Sequence, residues 1–173
     1  IGGMSPVTFK PKNNMGLPRI KYTGNSTLDV DSIIRTPRFL VQSGTVRFDT
    51  SFTIDTIEVN SGATVQLTSS FNADTVNTIV GNGNLDLSMS TLCVKKDLDL
   101  NPFNFVTSTG GGFRFIGSSP QTLDPKAGSL TPTIEQDGTG GTIVINNNLK
   151  TNTLVLSNGE FHLGNGLVDS IGM

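Results

Sequence analysis

Phe39-Leu-Val-Gln-Ser-Gly-Thr-Val-Arg-Phe48 contains the unit from which the chain is built. Two apolar residues, Phe39 and Val41, flank one intervening position. Two polar residues and Gly44 follow, and a second alternating pair, Val46 and Phe48, closes the unit. Alternation of this kind turns one side of a strand inward. The glycine suits a corner, because it accepts left-handed backbone angles. The pattern returns without a gap at Leu154, Leu156, Gly159, Phe161 and Leu163. It returns at Thr78, Val80, Gly83, Leu85 and Leu87, with Thr78 as its weak member. Ile57, Val59, Gly62, Val65 and Leu67 fit it with one inserted residue.

Looser copies fill the gaps. Ile20, Tyr22, Gly24, Leu28 and Val30 form one, and Phe103, Phe105, Gly112, Phe113 and Phe115 another. Gly141, Ile143 and Ile145 make the second half of a third. The pivotal glycines stand at 24, 44, 62, 83, 112, 141 and 159, spaced 20, 18, 21, 29, 29 and 18 apart. The two long spacings read as ordinary units carrying inserted surface loops near 101–111 and 117–140. A further short strand leads into several copies: Phe52 and Ile54, Phe71 and Ala73, Leu92 and Val94, Leu149 and Thr151.

Strands this short do not form a stable hairpin sheet by themselves. Repeated every 20 or so residues, they can stack on their own copies one turn later, about 4.8 Å away. The expected fold is therefore all-β: a single-chain right-handed parallel β-helix (β-solenoid) of about seven turns of 18–29 residues. Seven turns give a rod of roughly 30 Å. An antiparallel sandwich or barrel is the alternative, since Asn-Gly pairs at 82–83, 158–159 and 165–166 also suit hairpin turns.

Composition agrees. Thr, Gly, Asn and Ser supply 74 of 173 residues, while Ala and Glu occur three times each, so helix formers are scarce. Charged residues are 15% and the net charge is -2, which argues against a nucleic-acid partner. No apolar run is long enough for direct membrane insertion. One cysteine, Cys93, leaves no internal disulfide. No basic start precedes an apolar stretch, so no signal peptide is visible. Asn25-Ser26-Thr27 is a glycosylation sequon. Val7 and Phe9 read as an earlier turn, and Leu167 and Ile171 as a later one. Residues 1–173 are thus expected to be one solenoid segment, an internal piece of a longer chain.

The outward column expected from the repeat is Asp29, Arg47, Gln66, Asp86, Arg114, Val144 and His162. Its polar members form a candidate binding strip, for carbohydrate in the sharper reading and as a solvated face in the plainer one. Leu40, Ile79 and Val155 fall at outward positions of the preceding strand and form a candidate apolar contact face.

Chemistry is sparse. His162 is the only histidine and no Gly-x-Ser-x-Gly occurs, so a nucleophile triad has little to draw on. Cys93 lacks a second cysteine, and its register turns it outward although cysteine is usually buried. Lys95-Lys96-Asp97-Leu98-Asp99 is the most charged stretch. With Asp86 and Arg114 it is where a carbohydrate-active site would gather. Gly81-Asn-Gly-Asn-Leu-Asp86 only grazes a calcium-binding repeat. Asp137-Gly-Thr-Gly-Gly-Thr142 lacks the lysine and helix of a phosphate loop. Thr-x-Thr at 107, 131 and 151 is too irregular for an ice-binding array. No catalytic residue, metal or cofactor is expected.

Phe113-Arg-Phe-Ile-Gly-Ser-Ser-Pro-Gln-Thr-Leu123, Gly141-Thr-Ile-Val-Ile-Asn-Asn-Asn-Leu149 and Leu154-Val-Leu-Ser-Asn-Gly-Glu-Phe-His-Leu-Gly164 resemble the repetitive β-helical surface proteins of Bacteroidota-type bacteria. The strong match covers residues 113–164, and residues 39–100 share only the looser repeat. The resemblance implies a very large protein, often exported by the type IX pathway, acting as an adhesin or surface fibre. It carries no catalytic motif. The signal peptide and C-terminal sorting domain of such proteins are not seen here, as expected of an internal piece.

The expected function is a non-enzymatic extracellular rod, a structural or adhesive segment of a bacterial cell-surface protein. Its partners would be neighbouring turns of the same long protein, surface glycans or other surface proteins. A polysaccharide lyase, hydrolase or phage tail spike is the alternative, and a subunit stacking end to end into filaments is a further one.

Overall fold

The computed structural model describes residues 6–12, 16–68 and 74–164, and the backbone at 170 and 171. Every strand pairing among them is parallel. The chain is a β-solenoid of about seven turns, each with three faces. Val7–Phe9, Thr27–Val30, Thr45–Phe48, Thr64–Leu67, Asn84–Asp86 and Phe105–Thr107 pair in that order on the first face. The second face holds residues 34–36, 52–54 and 74–76, then Thr91–Val94, Gly112–Phe115, Thr133–Gln136 and Leu154–Leu156. Ile20–Tyr22 and residues 39–41, 57–59 and 79–81, then Leu98–Asp99, Gln121–Asp124, Thr142–Ile145 and Glu160–Leu163, form the third, with no strand pairing between 79–81 and Leu98–Asp99.

In three successive turns one eight-residue strand serves both the second and the third face: Ile34–Val41, Phe52–Val59 and Asp74–Gly81. In Ile34–Val41 the inward alternation skips a step at Pro37 and Arg38, and there the strand rounds the corner. Thr36, almost fully buried, fills that corner. Its hydroxyl donates to the Pro18 carbonyl of the turn below at 2.7 Å.

The inward columns are largely hydrocarbon. Leu28, Val46, Val65 and Leu85 are successive register partners, as are Phe39, Ile57 and Ile79, and Leu92, Phe113 and Ile134. All are buried. Each such side chain contributes roughly 1.5–3 kcal/mol by leaving water. Phe48 packs edge-on to Phe39 at 5.3 Å between centroids and lies 4.6 Å from Phe52, binding all three faces at that level.

Register partners lie 18 to 22 residues apart through most of the stack, and 25 apart at Leu98 and Leu123. The two 29-residue glycine spacings are therefore not turns with inserted loops. Residues 101–111 include the Phe105–Thr107 strand, and residues 117–140 include Gln121–Asp124 and Thr133–Gln136. Each 29 is one turn plus one face. Gly44 and Gly62 round the corner from the third face to the first, whereas Gly141 and Gly159 round the corner from the second to the third. Gly112 is not a corner at all. It opens a second-face strand, where a Cβ would overlap the Thr133 carbonyl oxygen of the next turn.

The buried threonine corner moves with the glycines. Thr151 repeats the Thr36 arrangement, its hydroxyl donating to Pro132 O at 3.2 Å, but at the junction of the first and second faces. The sequence repeat thus slips around the rod axis between residues 83 and 141.

Other expectations are corrected. Ile79 is not outward: it stacks on Ile57 in the core, and Val80 beside it is 42% exposed. The strand keeps in register with the turn below, overriding the glycine count that had placed Thr78 and Val80 inward. Cys93 is buried although it alternates with the inward Leu92 and Val94. The lead-in pair Phe71 and Ala73, the pair at 165–166 and Leu167 lie outside the described residues.

Two glycines separate dihedral strain from collision. Gly62 has φ 77° with no atom within 4 Å of a built Cβ. At Gly44, φ is 71° and a Cβ would overlap the Gly24 carbonyl oxygen. Gly62→Ala is expected to cost about 1–2 kcal/mol, the left-handed penalty alone. Gly44→Ala should cost clearly more, because backbone must also move. Urea unfolding midpoints of the two variants check the order.

Two buried glutamines give a second contrast. Gln121 accepts from Gly117 N at 3.0 Å and donates to Lys96 O at 2.8 Å and Val94 O at 3.3 Å. Gln136, fully buried between Phe115 and Leu156, has no hydrogen-bond partner among the described residues for either amide atom. Gln121→Leu is expected to lose about 2 kcal/mol or more, since it strands buried backbone groups. Gln136→Leu should be neutral or stabilising, by removing an uncompensated amide. Unfolding midpoints of opposite direction would confirm both.

Candidate functional site

Outward side chains inherit the register of the core, so groups one turn apart stand about 5 Å apart on a face. On the first face Asp29, Arg47, Gln66 and Asp86 are consecutive partners. Arg47 Nη2 lies 3.0 Å from Asp29 Oδ2, and Gln66 Nε2 donates to Asp86 Oδ2 at 2.9 Å. Arg47 Nε stands 3.3 Å from Asp49 Oδ1, an ion pair without hydrogen-bond alignment. Beside this column Asn84 donates to Thr64 and receives from Asn104.

The expected strip does not continue straight. Arg114 lies on the second face, between Cys93 and Glu135. His162 lies on the third, next to Val144, with Nε2 3.1 Å from Glu160 Oε2. The six polar members wind around the rod because the repeat slips. Leu40, Ile79 and Val155 likewise share no surface: Leu40 is half-buried on the third face, Ile79 is core, and Val155 is exposed on the second.

Axial pairing extends to the other faces. Arg38 pairs with Glu58 on the third. On the second, Arg114 Nε lies 2.6 Å from Glu135 Oε2, and Ser157 Oγ donates to Glu135 Oε1 at 2.7 Å. The Glu135 hydrogen bond, chiefly, holds the Arg114 guanidinium above the usual arginine range, against a smaller opposing effect of burial. Asn77 donates to Asp55, and Asn158 to Asp137. Lys95 and Lys96 are exposed where the chain leaves the second face. Asp86, the two lysines and Arg114 therefore do not share one face. Among the described residues no cluster of three or more His, Cys, Asp or Glu is disposed to hold a metal ion.

The first face contains a gap that the repeat does not announce. Its six-stranded sheet ends at Phe105–Thr107, and in the next turn Thr131 bridges upward to Thr151, its N–H donating to Lys150 O at 2.8 Å. No strand pairing joins Thr131 downward. Between the loop 108–111 and the corner 130–133 lies a pocket of about 250 Å³, lined also by Val106 and Asn152. Here the inward column changes from Leu85 and Val106 to the buried Thr131 and Thr151. The one sequence cue to the pocket is threonine where the column calls for an aliphatic residue.

Comparison with protein-family models, with curated proteins and with solved structures gave no match.

Cys93, the one cysteine of the sequence, is buried. Burial, foremost, raises its thiol above the ordinary range; Arg114 pulls it down, while Asp74, Glu135 and Asp137 push it up. Less thiolate and less access both slow alkylation. At pH 8 iodoacetamide is expected to modify folded Cys93 at least about tenfold more slowly than the urea-unfolded chain. Equal rates, followed by mass spectrometry, would contradict this.

Proposed function

We propose that the chain is a non-enzymatic structural and adhesive rod, a segment of a large bacterial cell-surface protein. The observation that carries this reading is the axial direction of the surface pairing. Asp29 with Arg47, Gln66 with Asp86, Arg38 with Glu58 and Arg114 with Glu135 each join one turn to the next. Exposed pairs of this kind contribute only about 0–1 kcal/mol each. Distributed along three faces, they leave the surface charge-balanced and the side chains committed to neighbours. Such a surface suits a spacer, which holds a binding tip or its own sides away from the cell. The resemblance of residues 113–164 to Bacteroidota-type surface proteins supports the same reading, and with it export by the type IX pathway to the cell exterior.

Mapping of peptides from the parent polypeptide in its source tests the proposal. The expected result is a polypeptide of many hundreds of residues, with further repeats on both sides, cleaved by protease added to intact cells. A parent close to 173 residues, or one protected inside cells, would overturn it. Release of new reducing ends when residues 1–173 are incubated with a polysaccharide panel would favour a lyase or hydrolase instead.

A further inference from the structure

We propose that the pocket at the break in the first face binds one uncharged sugar residue of a surface glycan. This rests on the adhesive half of the reading above and assigns it a place.

The chemistry of the lining points to such a ligand. None of the residues that line the pocket is ionisable. Val106, Leu130 and Pro132 supply an apolar wall, and Leu130 keeps 47% of its surface exposed. The rest of the lining is hydroxyl, amide and glycine backbone. Ser108 Oγ is committed, its single proton within reach of Gly111 O at 2.8 Å and Ser88 O at 3.0 Å, and it accepts from Gly110 N at 3.1 Å. These bonds brace the glycine loop. The side chains of Thr109, Thr133 and Asn152 make no hydrogen bond to another described residue and remain available. A pyranose offers the matching surface, with a C–H face for the apolar wall and a rim of hydroxyls for the polar groups. A charged ligand would enter this site without a counter-ion, at a desolvation cost. The volume is below the roughly 300–1,000 Å³ of drug-sized sites, which suits one ring rather than a chain.

An extended peptide pairing with the open edge of Phe105–Thr107 is less well matched. That edge is three residues long, and the corner 130–133 stands across it.

Gly110 provides a block at some cost in stability. Its φ of 159° is one that residues with a side chain rarely adopt, although nothing lies within 4 Å of a built Cβ. Gly110→Phe should therefore crowd the pocket with some backbone strain, and Asn152→Ala supplies an unstrained second variant. The experiment is a ¹H–¹⁵N titration of residues 1–173 with glucose, galactose, mannose and N-acetylglucosamine in turn. Glucuronate and a short threonine-rich peptide are the comparison probes.

Saturable shifts are expected with at least one neutral sugar, confined to Val106, residues 108–111 and 130–133, and Asn152. Binding should weaken at least about tenfold in Gly110→Phe. Asn152→Ala, an exposed change, should weaken the same binding should the phenylalanine variant misfold. The absence of saturable shifts with all four sugars would overturn the proposal. So would binding undiminished in both variants, or shifts caused only by glucuronate or the peptide. None of these results bears on the parent polypeptide, so failure here would leave the rod reading to its own test.

Discussion

Backbone hydrogen bonding from one turn to the next is the interaction on which everything else in this molecule depends. A strand of three or four residues, such as Thr45–Phe48, has no partner within its own turn. It bonds only to Thr27–Val30 below and Thr64–Leu67 above. No turn can close alone, and each is held by the one before it. The stacked core follows from the same constraint. Once Val46 lies over Leu28, it must lie under Val65, and a side chain that fits one layer must fit three. The outer ladders follow as well, because Asp29 and Arg47 are neighbours only through their backbones.

The strands and their stacking were readable from sequence because alternation and a corner glycine are local signals. Phe39, Val41, Gly44, Val46 and Phe48 meet both. Which face a unit occupies is not local. All three faces use the same inside–outside pattern, so the repeat around Gly159 reads like the repeat around Gly44 although it lies two faces further round. Only pairing with the turn below distinguishes them. Ile79 shows the same limit: the triplet Thr78-Ile-Val80 can place either Ile79 or the flanking pair inward, and Ile57 beneath it chooses. Strict alternation turns Cys93 outward, yet it is buried.

The candidate sites were less legible for a related reason. The strip from Asp29 to His162 is a sequence column, and it becomes a spatial column only while the repeat keeps its phase, from Asp29 to Asp86. The pocket arises where the phase changes, from loops distant in the chain. Residues 108–111 and 130–133 carry no motif, and their meeting depends on a sheet that stops at Phe105–Thr107. The polar residues of the core obey no simple rule either. Thr36 and Gln121 replace backbone bonds at corners, whereas Gln136 replaces nothing.

The interrupted first face also has a mechanical meaning. A rod bonded along three edges resists bending equally in every direction. At the level between Val106 and Thr131, only the second and third faces carry paired strands across, through Gly112–Phe115 with Thr133–Gln136 and Gln121–Asp124 with Thr142–Ile145. Stiffness there is directional. A sideways load that opens the first face meets the least resistance, and flexure in that plane changes the width of the gap between the loop 108–111 and the corner 130–133. The rod thus carries a built-in elbow at that layer, one turn or so beyond the break in third-face pairing between residues 79–81 and Leu98–Asp99.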